Sequence, residues 1–233
     1  MDRIYKILPK HAFLPIFISL FINLNAYFLS RVFTSKLNHK DLSGKLDKDI
    51  PFVKEFMIIY MLAYVVWIVG YIVIGREEKS ICYKIFTAEQ IAKIMCLLCF
   101  IFIPTTMVRP HIMGNEWLDI FCKMVYSSDG VLSNGQFIAD NLFPSVHCLE
   151  SWVCFRGALK SKRMGNIYTV IMGICTVLIF ASTLLVKQHI IIDVFGGVAV
   201  FEVAMYIENK LEVSRLYYYF ENRKQKRLSN NEE

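Results

Sequence analysis

Apolar residues fall into six runs of roughly membrane-spanning length, at about 12–33, 52–74, 90–108, 145–160, 165–186 and 189–208. A backbone in lipid has to satisfy its own N–H and C=O groups, so runs of this length select helices packed against one another. Glu150 and Arg156 interrupt the fourth run and make it the weakest. Hydrophobic residues are 55% of the 233 and charged ones 20%, against about 45–50% and about 25% in an average globular chain. That excess is modest, and it is the clustering that sets the class. No polar stretch is long enough for a second domain. The expectation is one integral membrane domain over 1–233, all-α, with six transmembrane helices and a basic cytoplasmic tail over about 209–233.

The first run follows Arg3, Lys6 and Lys10, as the apolar core of a signal peptide would. At about 22 residues it exceeds such a core, and no clear small-residue cleavage site follows, so it is expected to stay as a helix. Orientation follows the Lys and Arg distribution. With the N-terminus inside, most of the 26 Lys and Arg lie in the N-terminal segment, the 75–93 loop, the 156–163 turn and the tail. The first outer loop, from Arg31 to Lys54, argues mildly the other way. Both termini are expected inside, in a plasma membrane.

The net charge of +6 largely reflects Lys210, Arg215, Arg223, Lys224, Lys226 and Arg227. These read as a positive-inside anchor that attracts anionic lipid head groups. Nucleic-acid binding would need a basic surface with stacking aromatics on a soluble fold, which is missing. The seven cysteines are odd in number and scattered through apolar runs, so they do not form a disulfide framework. Cys96 and Cys99 make a C-x-x-C inside an apolar run with no ligand partner, which reads as packing.

The connections are expected to be loops. Residues 34–51 read as an outer loop and 75–89 as a short charged inner loop. The segment 109–144 is the longest, punctuated by Pro110, Gly114, Gly130, Gly135 and Pro144. Its Trp117, Phe121 and Tyr126 point to an interfacial helix.

Polar, titratable residues at the membrane edge are expensive to keep and are therefore candidates for chemistry. Arg109-Pro110 closes the third run, His147 opens the fourth in Pro144-Ser145-Val146-His147, and His189 opens the sixth, four residues before Asp193. With six alternating spans, all three fall at one face of the membrane. A helical i, i+4 pair lets the Asp193 carboxylate bind one ring nitrogen of His189 and leave the other free to attack. A second histidine and an arginine add proton transfer and an anion clamp.

These residues resemble the type-2 phosphatidic acid phosphatase superfamily, with its pattern K-x6-R-P, P-S-G-H and S-R-x5-H-x3-D. Arg109-Pro110 matches the end of the first part. Pro144-Ser145-Val146-His147 matches the second, and Ser182-Thr183, five residues, His189, three residues and Asp193 match the third. The resemblance implies a six-helix bundle over nearly the whole chain. It makes His189 the nucleophile, Asp193 its orienting partner and His147 the acid and then the base. Arg109 and Ser145 would bind the phosphoryl oxygens. The family lysine falls on Phe102 and a family arginine on Thr183, so two usual cations are missing. Lys187 is the candidate to stand in for one, together with Gln188.

The resemblance implies no metal and no cofactor. The expected activity is hydrolysis of a lipid phosphate or diphosphate, such as phosphatidate, phosphatidylglycerophosphate or a polyprenyl diphosphate, through a phosphohistidine. The missing cations point to the divergent branch that holds inositol-phosphoceramide and sphingomyelin synthases, so lipid phosphotransfer is the alternative. A catalytically silent membrane homologue is the third possibility. Glu150, one turn after His147, has three readings: perturbing that histidine, pairing with Arg156 or facing a wet cavity. Gly196-Gly197 reads as a site of close helix packing.

Overall fold

The computed structural model describes residues 7–34, 37–133 and 136–229. Arg3, Lys6 and Gly135, used in the sequence reading, lie outside them. Each of the six apolar runs forms a helix: α1 (Lys10–Thr34), then, after β1 (Lys40–Asp41) and a short α2 (Lys45–Asp49), α3 (Phe56–Arg76) and α4 (Lys79–Phe102). Next come β2 (Thr105–Val108), α5 (Trp117–Asp129), β3 (Gly130–Ser133) and β4 (Gln136–Asp140), followed by α6 (Val146–Lys160), α7 (Asn166–Leu185), α8 (Ile191–Leu211) and α9 (Arg215–Ser229). The chain is mostly helical. Among the described residues, four helices are long and apolar enough to cross a membrane: α1, α3, α4 and α7. Helix α6, with 15 residues, rises about 22 Å, and α8 carries Asp193, Glu202 and Glu208.

Three expectations need correction. The helical fold class holds for most of the chain, but a small four-stranded sheet in the order β1-β2-β4-β3, which the all-α expectation lacked, caps one end of the bundle. Strand β2 runs parallel to β1 and antiparallel to β4, with Met107 opposite Ala139. Pro104 is the cause, because it cannot continue a helix and pushes the residue before it out of the α region. The β-branched Thr105 and Thr106 then suit a strand. Arg109 therefore follows a strand rather than closing the third helix. The stretch 75–93 is also not a loop, since α4 begins at Lys79 and only Glu77 and Glu78 separate it from α3.

The polar residues that made this stretch read as a loop lie inside the bundle. Glu89 is 0% exposed, Lys93 2% and Glu150 3%. The Lys93 ammonium pairs with Glu89 one turn before it and with Glu150 of α6 at 2.7 Å. The Tyr71 hydroxyl on α3 donates to Glu150 at 2.8 Å and also bonds Glu89. Ser19 on α1 donates to Glu89, and Gln90 links Ser19 to the Tyr217 hydroxyl of α9. Glu150 thus pairs with Lys93, while Arg156 pairs with Glu202 on α8 at 3.0 Å. Buried charges persist only when paired and hydrogen-bonded, and here the pairing ties α1, α3, α4 and α6 together.

Close contacts complete the packing. A Cβ on Gly70 of α3 would sit 2.4 Å from the Cys154 sulfur of α6, and one on Gly157 of α6 would sit 2.4 Å from Ile74 of α3. At the end of the bundle away from the sheet, Glu77 accepts bonds from the Ser161 hydroxyl and the Lys162 amide, at 2.5 and 3.1 Å. Helix α9 docks at that end, with Tyr217 stacked on Tyr83 at 4.9 Å.

Removing the ammonium leaves two carboxylates sealed together, a change that costs about 3–5 kcal/mol for a buried pair. Lys93→Met is expected to lower the thermal midpoint in detergent strongly. Lys162→Ala, which breaks an exposed pair with Glu78, should cost under about 1 kcal/mol. Equal midpoints for the two variants would contradict this account.

Candidate active site

The sheet end of the bundle brings Arg109, His147 and His189 together. Helix α7 ends at Leu185, and the chain turns through Lys187 with φ 51° before α8 starts at Ile191. The Gln188 and His189 amides both donate to the Thr183 carbonyl, at 2.9 and 3.1 Å, which fixes the turn. The His189 Nδ1 lies 3.3 Å from Asp193 Oδ2, and Asp193 is 0% exposed. The same carboxylate oxygen accepts the Ile190 amide at 3.0 Å, and Asp47 of α2 accepts the Ile191 amide at 2.7 Å. Two acids thus satisfy amides at the start of α8, where the helix dipole favours negative charge. The Nε2 of His189 is the ring nitrogen that Asp193 does not engage.

His147 lies in the first turn of α6, capped by Ser145, whose hydroxyl accepts the Cys148 amide at 3.3 Å. The Ser145 amide donates to the Asp193 carbonyl at 3.0 Å, joining the starts of α6 and α8. Gly197 makes that approach possible: a Cβ there would lie 2.4 Å from the Ser145 carbonyl oxygen and 3.0 Å from the Leu149 nitrogen. The two histidine rings stand 6.4 Å apart between centroids.

Arg109 is 1% exposed. Its amide bonds the Phe137 carbonyl of β4, so the sheet register sets its position. The guanidinium donates to the Tyr126 carbonyl at 3.1 Å and to Gln188 Oε1 at 2.5 Å, and lies over the Tyr126 ring at 4.6 Å. The Thr105 hydroxyl accepts the Leu142 and Phe143 amides at 2.9 and 3.0 Å, tying the segment before His147 to β2. Lys187 donates to the Asp47 and Ile50 carbonyls at 2.8 and 2.5 Å, so its ammonium holds the α2 segment. Burial lowers the Lys187 pKa, with Asp47 opposing the shift. Where the family pattern places cations, Phe102 is 77% exposed and Thr183 is buried, its hydroxyl donating to the Phe180 carbonyl at 2.8 Å.

Two cavities meet at His189. An inner one of about 570 Å³ lies among α1, α3, α4 and α5 and is lined largely by apolar and aromatic side chains, with His147, Gln188 and His189 on its wall. An outer one of about 380 Å³ is lined by Arg109, Lys48, Lys187, Asp41, Asp47 and His189, among others. Three polar atoms sealed from solvent here have no hydrogen-bond partner among the described residues: His147 Nε2, Gln188 Nε2 and Asp193 Oδ1. Buried polar groups are almost always paired, so such a cluster suits a polar ligand. The set combines an imidazole oriented by a carboxylate, a second imidazole, a buried guanidinium and an amide donor.

The sequence reading did not single out Tyr60, Tyr64 and Trp67. Spaced at four and three residues on α3, all three line the inner cavity and surround His147. The signal was present as a stripe of aromatics with polar tips in a helix otherwise rich in Val and Ile.

The family model described as the PAP2 superfamily matches residues 37–207. That span covers most of the chain, and the protein belongs to the PAP2 superfamily. Members of this superfamily are generally phosphatases that act on phosphate esters. No curated protein matches the chain.

Gly197→Ala drives a methyl group into backbone that cannot rotate away, and such overpacking costs about 1–3 kcal/mol or more. A lowered thermal midpoint is expected. Gly165→Ala, with no atom within 4 Å of the new Cβ, should stay near wild type. A Gly197→Ala midpoint matching that control would refute the close approach.

Proposed function

We propose that this member of the PAP2 superfamily is a multi-pass membrane lipid phosphatase. It hydrolyses a phosphate or diphosphate monoester, such as phosphatidate, phosphatidylglycerophosphate or a polyprenyl diphosphate, through a phosphohistidine on His189. The observation that carries this reading is the position of His189. Its Nδ1 is held by Asp193, and its ring lies on the wall between an apolar cavity and one that contains Arg109.

In this reading the lipid chain occupies the inner cavity and the phosphoryl group sits at the junction. His189 Nε2 attacks phosphorus, and Asp193 stabilises the imidazolium that develops. His147 protonates the departing alkoxide and then takes a proton from the attacking water. Arg109 and the Gln188 amide bind the non-bridging oxygens, and fixed donors in a dry site supply much of the rate. Ser145 holds the start of α6 against Asp193 and so keeps helix amides near the phosphate. Lys187 adds positive potential from the outer wall. This scheme calls for neither metal nor cofactor.

Six crossings follow if α6 and α8 span with α1, α3, α4 and α7, their charges being paired inside the bundle. Both termini then lie inside and the site faces outward at the plasma membrane. The positive-inside rule supports this, because Arg76, Lys79, Lys160, Lys162 and Arg163 flank the turns at the opposite end.

A second reading, phosphotransfer to a lipid alcohol, draws on Phe102 and Thr183, because the thin cationic clamp matches the synthase-like branch of the resemblance. Product analysis with and without added diacylglycerol separates the two.

Purified protein should release phosphate from at least one lipid phosphate, and His189→Ala should lower the rate at least about a thousandfold. Acid-labile, base-stable label should be trapped on the wild type and reduced by Asp193→Asn. Label retained on His189→Ala would overturn the nucleophile. A wild type inert across the lipid panel would overturn the activity and favour a silent homologue.

A further inference from the structure

Helix α5 has two unlike faces. Leu118, Cys122, Val125 and Tyr126 are buried, packed in one cluster with Met57 and Tyr60 of α3 and with Val186. Lys54, just before α3, bonds Glu116 and Asp119 at 2.8 and 3.0 Å, which ties the start of α5 to the start of α3. On the other side, Trp117, Ile120 and Met124 recur at three and four residues and so form one row. They are 68%, 56% and 58% exposed. Of the three aromatics that point to an interfacial helix, Trp117 lies on this row, whereas Phe121 is half-buried and Tyr126 is buried. A row of large apolar side chains left open marks a binding or membrane face.

The inner cavity shows what covers it. Met124 of α5, Leu24 of α1 and Tyr64 of α3 line that cavity, and all three are also exposed at the surface. The three helices therefore meet around an opening. Two of them, α1 and α3, are long and apolar enough to cross a membrane, so an opening between them faces lipid chains. The row on α5 ends at that opening and faces the same surroundings. The deep wall is different in kind: His147 Nε2 and Gln188 Nε2 are sealed there with no partner among the described residues. Apolar at the mouth and polar at the depth, the cavity suits an amphiphile that enters head first.

We propose that α5 is seated in the bilayer interface through Trp117, Ile120 and Met124, and that its Met124 end forms one side of a lateral mouth between α1 and α3. Through that mouth a lipid phosphate passes from the bilayer into the inner cavity. The seating of α5 stands on the geometry of the helix, and the identity of the passenger rests on the phosphatase reading. Indole at head-group level and aliphatic side chains just below it are the usual membrane contacts of an interfacial helix. Helix α5 also packs on β3 and β4, at the end of the bundle that carries Arg109 and both histidines. Seating it in the interface therefore holds the site at the depth where lipid phosphates lie, and the chain need not cross water to reach it. A second copy of this protein on the same row would instead crowd the mouth.

The wild type and Trp117→Phe in nanodiscs made with lipids brominated near the top of the chain test the seating. The emission of Trp117, taken as the difference between the two proteins, should fall by about half or more relative to unbrominated nanodiscs. Bromines near the chain ends should quench it less. With long-chain phosphatidate in the same nanodiscs, Met124→Glu places a charge at the mouth. Its loss of kcat/KM should be at least about tenfold greater there than with p-nitrophenyl phosphate, which reaches the site from water. Equal losses on both esters would overturn the mouth, and an unquenched Trp117 would overturn the seating. A dimer in detergent that Ile120→Glu splits, with Trp117 unquenched, would give the row to a second copy and overturn the proposal. Wild-type inertness on both esters counts against the phosphatase reading alone, and the quenching then decides where α5 lies.

Discussion

One lysine shared by two glutamates sets the arrangement on which the rest of this bundle depends. A charge sealed in an apolar interior is tolerated only with partners, and Lys93 has Glu89 before it on α4 and Glu150 across on α6. Tyr71 of α3 and Ser19 of α1 satisfy the remaining carboxylate oxygens. An apolar interface tolerates small slips and rotations, whereas this one does not, because any shift strands a charge. Glu150 lies three residues after His147, so fixing Glu150 also fixes the helical turn that presents the histidine. Stability and site geometry are thus coupled through one helix.

The sequence made the helices legible because lipid imposes a simple rule on length and polarity. It hid what tertiary pairing changes. Glu89, Gln90 and Lys93 read as loop residues since, taken singly, each is too polar for a bundle interior, and Glu150 and Ser19, which help to satisfy them, lie far away in the sequence. The sheet was hidden for a different reason: a run of apolar residues continued through Pro104, and hydropathy does not register that a proline ends a helix. The strand that follows matters, because its register with β4 places Arg109 against Gln188 and the segment leading to His147.

Site residues show the same division. His189 and Asp193 are legible because their four-residue spacing straddles the start of α8, where Asp193 in the first turn reaches back to the Ile190 amide and to the ring of His189 just before the helix. The environment of His147 is not, because Tyr60, Tyr64 and Trp67 come from another helix. Their spacing marks one face of α3, but nothing in the spacing says which residue that face meets. Lys187 shows how the fold redirects a side chain. Its place two residues before His189 suggested a phosphate ligand, yet its ammonium bonds the Asp47 and Ile50 carbonyls. A lysine close to a histidine in sequence can point elsewhere when its own backbone is in the left-handed region, as it is here.

The thin cationic clamp is consistent with this setting. A charge–charge interaction strengthens as the surrounding dielectric falls, so one guanidinium at 1% exposure can do more than several cations in water. A guanidinium also offers two parallel donors to phosphate, which a lysine does not. Arg109 stays buried among acceptors that include Gln188 Oε1 and the Tyr126 carbonyl. Under the proposed reading, the amide of Gln188 orients the arginine through its oxygen and leaves its nitrogen, unpartnered among the described residues, for the ligand. A neutral side chain beside the nucleophile then does part of what the missing cations do elsewhere in the superfamily pattern.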